Sequence, residues 1–183
     1  EMNFTSAILV IEELSRIDPS VSILVDIQNT LTNNAIRFWG SHYLQETWLP
    51  KLATDTVSSF CLSEAGSGSD AFAMTTTAAL QQDNTYVLNG TKLWISNAQH
   101  AGVFLVFANT NPELGYKGIT AFVVDAATPG ITVSPPEDKL GLKASSTCPV
   151  IFDNVIVDVS SVLGKVGQGY KYCIEILNEG RIG

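Results

Sequence analysis

The hydrophobic period changes twice along this chain, and the two changes restrict the fold more than any single motif does. Up to about residue 55, apolar side chains recur at helical spacing. From Thr56 to about Val159 they alternate or run together as in strands, with turn signals every ten residues or so. From Gly164 a helical spacing returns. Helices, then strands, then a helix predict an α+β architecture in which a β domain is inserted between two helical parts.

The predicted domains are a helical bundle segment over 1–55, a β domain over 56–160, and the start of a second helical domain over 161–183. In the first, Phe4, Ile8, Ile11 and Leu14 face one way over 2–17, with Glu12 and Glu13 outside. Asp18-Pro19 supplies an N-cap and a first helical position. Val21, Leu24, Val25, Ile27 and Leu31 then predict a second helix to about Asn33. A third is predicted over 41–53 from Tyr43, Leu44, Trp48, Leu49 and Leu52, with Pro50 kinking or bounding it. In the last domain Tyr170, Cys173, Ile174 and Leu177 recur at helical spacing. The chain opens inside one helical pattern and stops inside another, so it reads as a fragment.

The β domain is predicted to be a barrel or sandwich of roughly seven strands. Asn89-Gly90 within 86–96 predicts a hairpin turn. Strands are expected over 103–108, 118–125 and 150–157, with Pro129-Gly130 and Pro135-Pro136 as punctuation. The stretch 61–70, Cys-Leu-Ser-Glu-Ala-Gly-Ser-Gly-Ser-Asp, starts as a strand and breaks into small residues at Glu64. Gly66 and Gly68 allow close backbone approach, and Ser63, Ser67 and Ser69 carry hydroxyls that donate and accept. Such a loop is either a plain turn or a cradle for a polyanion or a flat polar ring. It is not a P-loop, because no Lys-Ser or Lys-Thr follows the second glycine. No helical pattern follows to make it a dinucleotide fingerprint.

Charge and composition remove several function classes. A formal charge of −8 argues against nucleic acid as a partner. No apolar run approaches the ~20 residues of a membrane span. Cys61, Cys148 and Cys173 have no metal spacing and read as reduced, half-buried thiols. His42 and His100 have no catalytic partner nearby in sequence. No metal site is expected.

Three motifs in order resemble the acyl-CoA dehydrogenase family, over essentially the whole chain. The first is Cys61-Leu62-Ser63-Glu64-Ala65-Gly66-Ser67-Gly68-Ser69-Asp70, followed by Ala73. The second is Leu88-Asn89-Gly90-Thr91-Lys92-Leu93-Trp94-Ile95-Ser96-Asn97. The third is Lys139-Leu140-Gly141-Leu142-Lys143-Ala144-Ser145-Ser146-Thr147, similar to a family strand pair. Asn178-Glu179-Gly180-Arg181 and Gly115-Tyr116-Lys117-Gly118 are most similar to the short/branched-chain members. Ala65 departs from the Pro many relatives carry, which loosens the loop slightly.

The resemblance implies FAD-dependent α,β-dehydrogenation of a short or branched acyl-CoA to the 2-enoyl-CoA. It implies FAD contacts from Phe60, Cys61, Leu62, Ser63, Glu64, Ala65, Gly66, Ser67, Gly68 and Ser69, and from Trp94, Ile95 and Ser96. Trp94 is expected against one flavin face, Ser63 at the pyrimidine side, and Ser96 near N5. Without the family match, a barrel core residue is the favoured reading of Trp94. Substrate contacts are implied for Ser69, Tyr116, Tyr170, Asn178, Glu179, Gly180 and Arg181. The implied base is a glutamate beyond Gly183, so no catalytic residue is assigned in this chain. Further implications are an electron-transferring flavoprotein as acceptor, a homotetramer, and the mitochondrial matrix. An acyl-CoA oxidase, a flavin monooxygenase of the same fold and a non-catalytic acyl-CoA- or flavin-binding module are the alternatives.

Overall fold

The structure, a computed structural model, describes residues 3–182. Helix α1 covers Phe4–Ile17, and Asn3 caps it by accepting the Ser6 amide. Asp18 caps α2, Pro19–Asp26, by accepting the Ser20 and Val21 amides. Pro19 takes the first helical position, where no N–H is needed. The second helix does not stop at Asn33 as its spacing predicts. It runs through a π-helical segment, Ile27–Asn33, into α3, Asn34–Trp39. The wider π turn rotates the apolar stripe, so a 3.6-residue period loses the helix there.

Helix α4, His42–Leu52, starts at an N-cap from Ser41 and ends just past Pro50. Gln28 then ties the helices to the sheet. Its Nε2 donates to the Leu52 and Thr56 carbonyls at 2.9 Å each. Its Oε1 accepts from the Ser58 amide at 2.8 Å and the Ser58 hydroxyl at 2.9 Å. Helix α5, Gly169–Gly180, closes the described chain.

Eight strands lie between α4 and α5. They are β1 Val57–Cys61, β2 Thr77–Leu80, β3 Thr85–Ser96 and β4 Ala101–Asn109, then β5 Ile119–Asp125, β6 Ile131–Val133, β7 Thr147–Asp158 and β8 Val162–Leu163. The sheet order is β6-β7-β3-β2-β4-β5-β8, with β1 parallel to β4. Among the described residues no pairing joins β6 to β8, so the barrel-like sheet stays open.

The central strands β4 and β5 are buried on both faces, which explains their unbroken apolar runs. Val103, Leu105 and Phe107 pack with Ile36, Leu44, Trp48 and Ile176 on the helical side. Phe104, Val106 and Ala108 pack with Phe122, Phe152 and Val155 on the other. Period-two alternation thus divides one strand between two cores. Truncating a side chain such as Phe104 to Ala costs about 3–5 kcal/mol in such a core.

Two expectations in the β domain are corrected. Asn89-Gly90 makes no hairpin: β3 runs straight through it, with a register shift against β7 between Leu88 and Gly90. The hairpin joins β2 to β3 instead, with Asn84 at φ +62 in its turn. The third motif is irregular chain up to Ser146, and only Thr147 enters a strand. Lys139 Nζ holds that chain by donating to the Ser145 carbonyl at 2.6 Å and the Thr147 hydroxyl at 2.8 Å.

Candidate functional site

The site starts from an irregularity in β3. Lys92 pairs with Val150 and Ile95 with Cys148, so Leu93 and Trp94 together oppose Pro149. This is a β-bulge, and Pro149 explains its position: proline has no N–H to give the ladder. The bulge leaves Trp94 at φ +62, a left-handed angle that strains a bulky residue. Its side chain is 60% exposed, so Trp94 is not a core residue. A large indole held outward on a strained backbone marks a surface built for contact.

Leu93 clasps the bulge to the first motif by donating its amide to the Ser63 carbonyl at 2.8 Å. A cavity of about 190 Å³ opens beside this contact. Phe60, Leu62 and Ser63 line it from the end of β1, and Trp94, Ile95 and Ser96 from β3. Ile27 and Leu31 reach it from the π segment, and Leu177 from α5. Two hydroxyls beside apolar walls and an indole form a slot with one polar edge. That donor set fits a flat heteroaromatic ring with a polar rim.

The loop after Ser63 is a tight turn, in which Glu64 and Ser67 exchange backbone hydrogen bonds at 3.0 and 3.1 Å. Ala65, Gly66, Gly68 and Ser69 are exposed on it. Three expected contact side chains are committed elsewhere. Cys61 is fully buried in the core on the far side of the sheet, and burial pushes its thiol up. The buried Ser67 hydroxyl donates to the Asp70 carbonyl at 2.9 Å. Glu64, 6% exposed, faces Lys92, whose Nζ lies 2.8 Å from Oε1. The Thr75 amide and hydroxyl donate to Glu64 Oε2 at 2.7 Å each, and the Thr76 amide and hydroxyl donate to Oε1.

Burial alone would raise the Glu64 carboxyl. The Lys92 charge and these hydrogen bonds outweigh it and hold the group at about 2. Burial pushes the fully buried Lys92 ammonium down, and Glu64 draws it partly back. The one signal of this pair in the sequence is phase. Lys92 falls on the same face of β3 as the buried Tyr86 and Leu88. Ile27, Leu31 and Leu177 carry no such signal, because tertiary packing alone brings them to the cavity.

The expected substrate residues divide between two places. Tyr116 and Tyr170 meet edge to face at 5.0 Å, and Phe72, on the loop beyond Ser69, lies 6.4 Å from each ring. Asn178, Glu179, Gly180 and the C-cap Arg181 lie at the other end of α5, about 12–16 Å from Tyr170 along a helix at ~1.5 Å per residue. There Glu179 accepts from Asn34 Nδ2 at 2.8 Å. A Cβ on Gly180 would crowd Leu31. Arg181 is exposed and donates to Asn178 Oδ1 at 3.5 Å. The three cysteines are free and buried. Among the described residues no group of three or more His, Cys, Asp or Glu could hold a metal, and no helix is long and apolar enough to cross a membrane.

This architecture and the sequence behind it match known proteins. Residues 59–155 match the model for the acyl-CoA dehydrogenase middle domain, and residues 1–56 that for the acyl-CoA dehydrogenase N-terminal domain. The chain belongs to the acyl-CoA dehydrogenase family. It is 59% identical over 182 residues to a probable short/branched chain specific acyl-CoA dehydrogenase of Dictyostelium discoideum, covering 100% of this chain and 44% of that protein. It is 55% identical over 183 residues to the mitochondrial short/branched chain specific enzyme of Rattus norvegicus, covering 100% of this chain and 42% of that one. The solved acyl-CoA dehydrogenase of Bacillus anthracis complexed with FAD superposes with a TM-score of 0.91 at 35% identity, over 98% of this chain and 30% of that one. The chain thus spans less than half the length of the curated relatives it matches.

Proposed function

We propose that this chain forms the flavin-holding part of an acyl-CoA dehydrogenase that acts on short or branched acyl-CoA. Trp94 carries the reading: the bulge aims an exposed indole beside Ser63 and Ser96, over a slot suited to a flat ring. Phe60, Leu62 and Ile95 give that slot its apolar walls. Ser63 and Ser96 offer hydroxyls to its polar edge, and the exposed glycines of the loop let backbone approach a ligand.

FAD, when bound, supplies the acceptor for the β-hydride of the substrate. The residues of this chain bind, orient and exclude water. A prearranged dry pocket stabilises developing negative charge on a thioester oxygen more than water does. Tyr116, Tyr170 and Ser69 at one end, and Asn178, Glu179, Gly180 and Arg181 at the other, are proposed to face the substrate path. The base that removes the α-proton is assigned to no residue here. An electron-transferring flavoprotein as acceptor, a homotetramer and a mitochondrial site of action belong to the same reading. The similarity to the mitochondrial rat enzyme supports the last.

The test is the visible spectrum of the purified full-length protein, followed by anaerobic titration with a short branched acyl-CoA. A yellow protein that bleaches with substrate is expected. A colourless protein that releases no flavin on denaturation rejects the reading. Rapid recolouring in air makes the enzyme an oxidase instead.

A further inference from the structure

The Lys92–Glu64 pair is not required by the reaction, and its place in the fold is unusual. Lys92 is fully buried and Glu64 nearly so. Buried ion pairs often stabilise a fold no better than apolar residues of similar volume. Apolar packing is non-directional, whereas charge-assisted hydrogen bonds fix individual atoms. The contacts of this pair show which atoms it fixes.

Lys92 Nζ donates to the Leu62 carbonyl at 3.1 Å and to Glu64 Oε1 at 2.8 Å. The Leu93 amide donates to the carbonyl of the residue between them, Ser63. Residues 92 and 93 thus grip 62, 63 and 64 in turn, and the next residue is Trp94. The Glu64 carboxylate also holds Thr75 and Thr76, at the far end of the exposed loop. Gly90 makes room for this, since a Cβ there would collide with the Thr76 hydroxyl.

We propose that the Lys92–Glu64 pair is the positioning device of the site: it locks the 93–95 bulge to the end of β1 and so holds Trp94 outward over the cavity. Lys92 and Glu64 are positioning residues whose side chains face each other and do not line the cavity. The inference concerns the shape of the bulge. Its consequence for cofactor binding rests on the proposed flavin reading.

The test uses the full-length protein with Lys92→Met and Glu64→Gln combined, which leaves no lone buried charge. Hydrogen–deuterium exchange is followed over 92–97 without flavin, with 103–108 in β4 as the internal reference. Exchange over 92–97 is expected to quicken on the order of tenfold or more while β4 is unchanged. FAD affinity should fall on the order of tenfold, and the fine structure of the bound flavin band should blur. Unchanged exchange over 92–97 overturns the proposal. Equal acceleration in both segments overturns it too, since the pair then only stabilises the fold. Thr76→Val, which removes one donor to Glu64 and neither charge, should give the same local pattern severalfold weaker. It decides the matter if the double variant does not fold. A wild-type protein that takes up no FAD rejects the flavin reading, and the exchange pattern still judges the positioning role.

Discussion

Strand β3 breaks register with β7 twice, and the two breaks are built in opposite ways. At the first, the extra residue belongs to β7, where Asp153 and Asn154 together oppose Asn89 with Asn154 at φ +51; on β3, Gly90, at φ +155, leaves its side-chain space to Thr76. At the second, a tryptophan sits at φ +62 with its side chain in solvent. Where an irregularity serves packing, the residue that relieves strain is used. Where it presents a side chain, the strain is kept and the surrounding contacts hold it. The two are also linked, because Thr76 at the first bulge donates to the carboxylate that anchors the second.

The largest effect is expected at the first bulge. Gly90→Val drives methyl groups into Thr76 and forces an unfavourable φ. It should cost about 4 kcal/mol, measured as a drop in the urea midpoint at constant slope. A cost under about 1 kcal/mol would show that the gap beside Thr76 is slack and that the two bulges are not linked.

The next concerns acid. Glu64 sits at about 2 against its ordinary 4.5. A depressed carboxyl contributes stability that is complete above about pH 4.5 and is lost as pH falls towards 2. The difference corresponds to about 3 kcal/mol. Wild-type protein should lose stability through this window, and Glu64→Gln should show a flatter profile there. Parallel acid profiles for the two proteins would remove the pair from the energetics of the second bulge.

Smaller, and sharper as a comparison, is Trp94→Gly. It removes the strain with the side chain, so the flavin-free protein should hold its stability or gain about 1 kcal/mol. Flavin affinity should fall on the order of tenfold for loss of one aromatic contact. Trp94→Ala should lose affinity without the gain. A stability loss in the glycine variant would mean that Trp94 is held for packing after all.

The smallest effect is expected at the end of α5, away from both bulges. Arg181 is exposed and bonded only weakly to Asn178. Arg181→Ala should leave stability unchanged and raise KM severalfold in the full-length enzyme, with kcat within about twofold, because a contact made equally in ground and transition states is lost. A fall in kcat at constant KM would move Arg181 into the chemistry.

Much of the layout is legible in the residues alone because it rests on local periodicity. The Asp18-Pro19 helix start follows from a capping side chain and a fixed φ. The unbroken apolar runs of β4 and β5 follow from burial on both faces. The Ser63 and Trp94 segments were legible as motifs, and they line one cavity. Helix α3 beyond Asn33 was not, because the widened turn of the π segment before it shifts the phase of the buried positions. The removal of Cys61 from the cavity follows from its phase opposite to Phe60 along β1, but that of Glu64 and Ser67 was not legible. Alternation along β1 is lost at the turn, and nothing local says which way a side chain faces beyond it.

Asn89-Gly90 marks the boundary between the two kinds of knowledge. The Asn-Gly pair announces an unusual backbone there, since it tolerates angles that other pairs resist. Whether that means a hairpin or a bulge was decided only in the folded molecule. Asn89 Oδ1 accepts the Asn154 amide of β7 at 2.8 Å, from 65 residues away, and this partner strand continues past the irregularity. A turn would have ended the pairing; instead β3 continues and β7 takes the extra residue, with Asp153 and Asn154 opposite Asn89. The same strand, through Pro149, decided that Trp94 faces outward. Local sequence sets which backbone angles are available, and long-range pairing selects among them, because only the partner strand fixes which hydrogen bonds must be made.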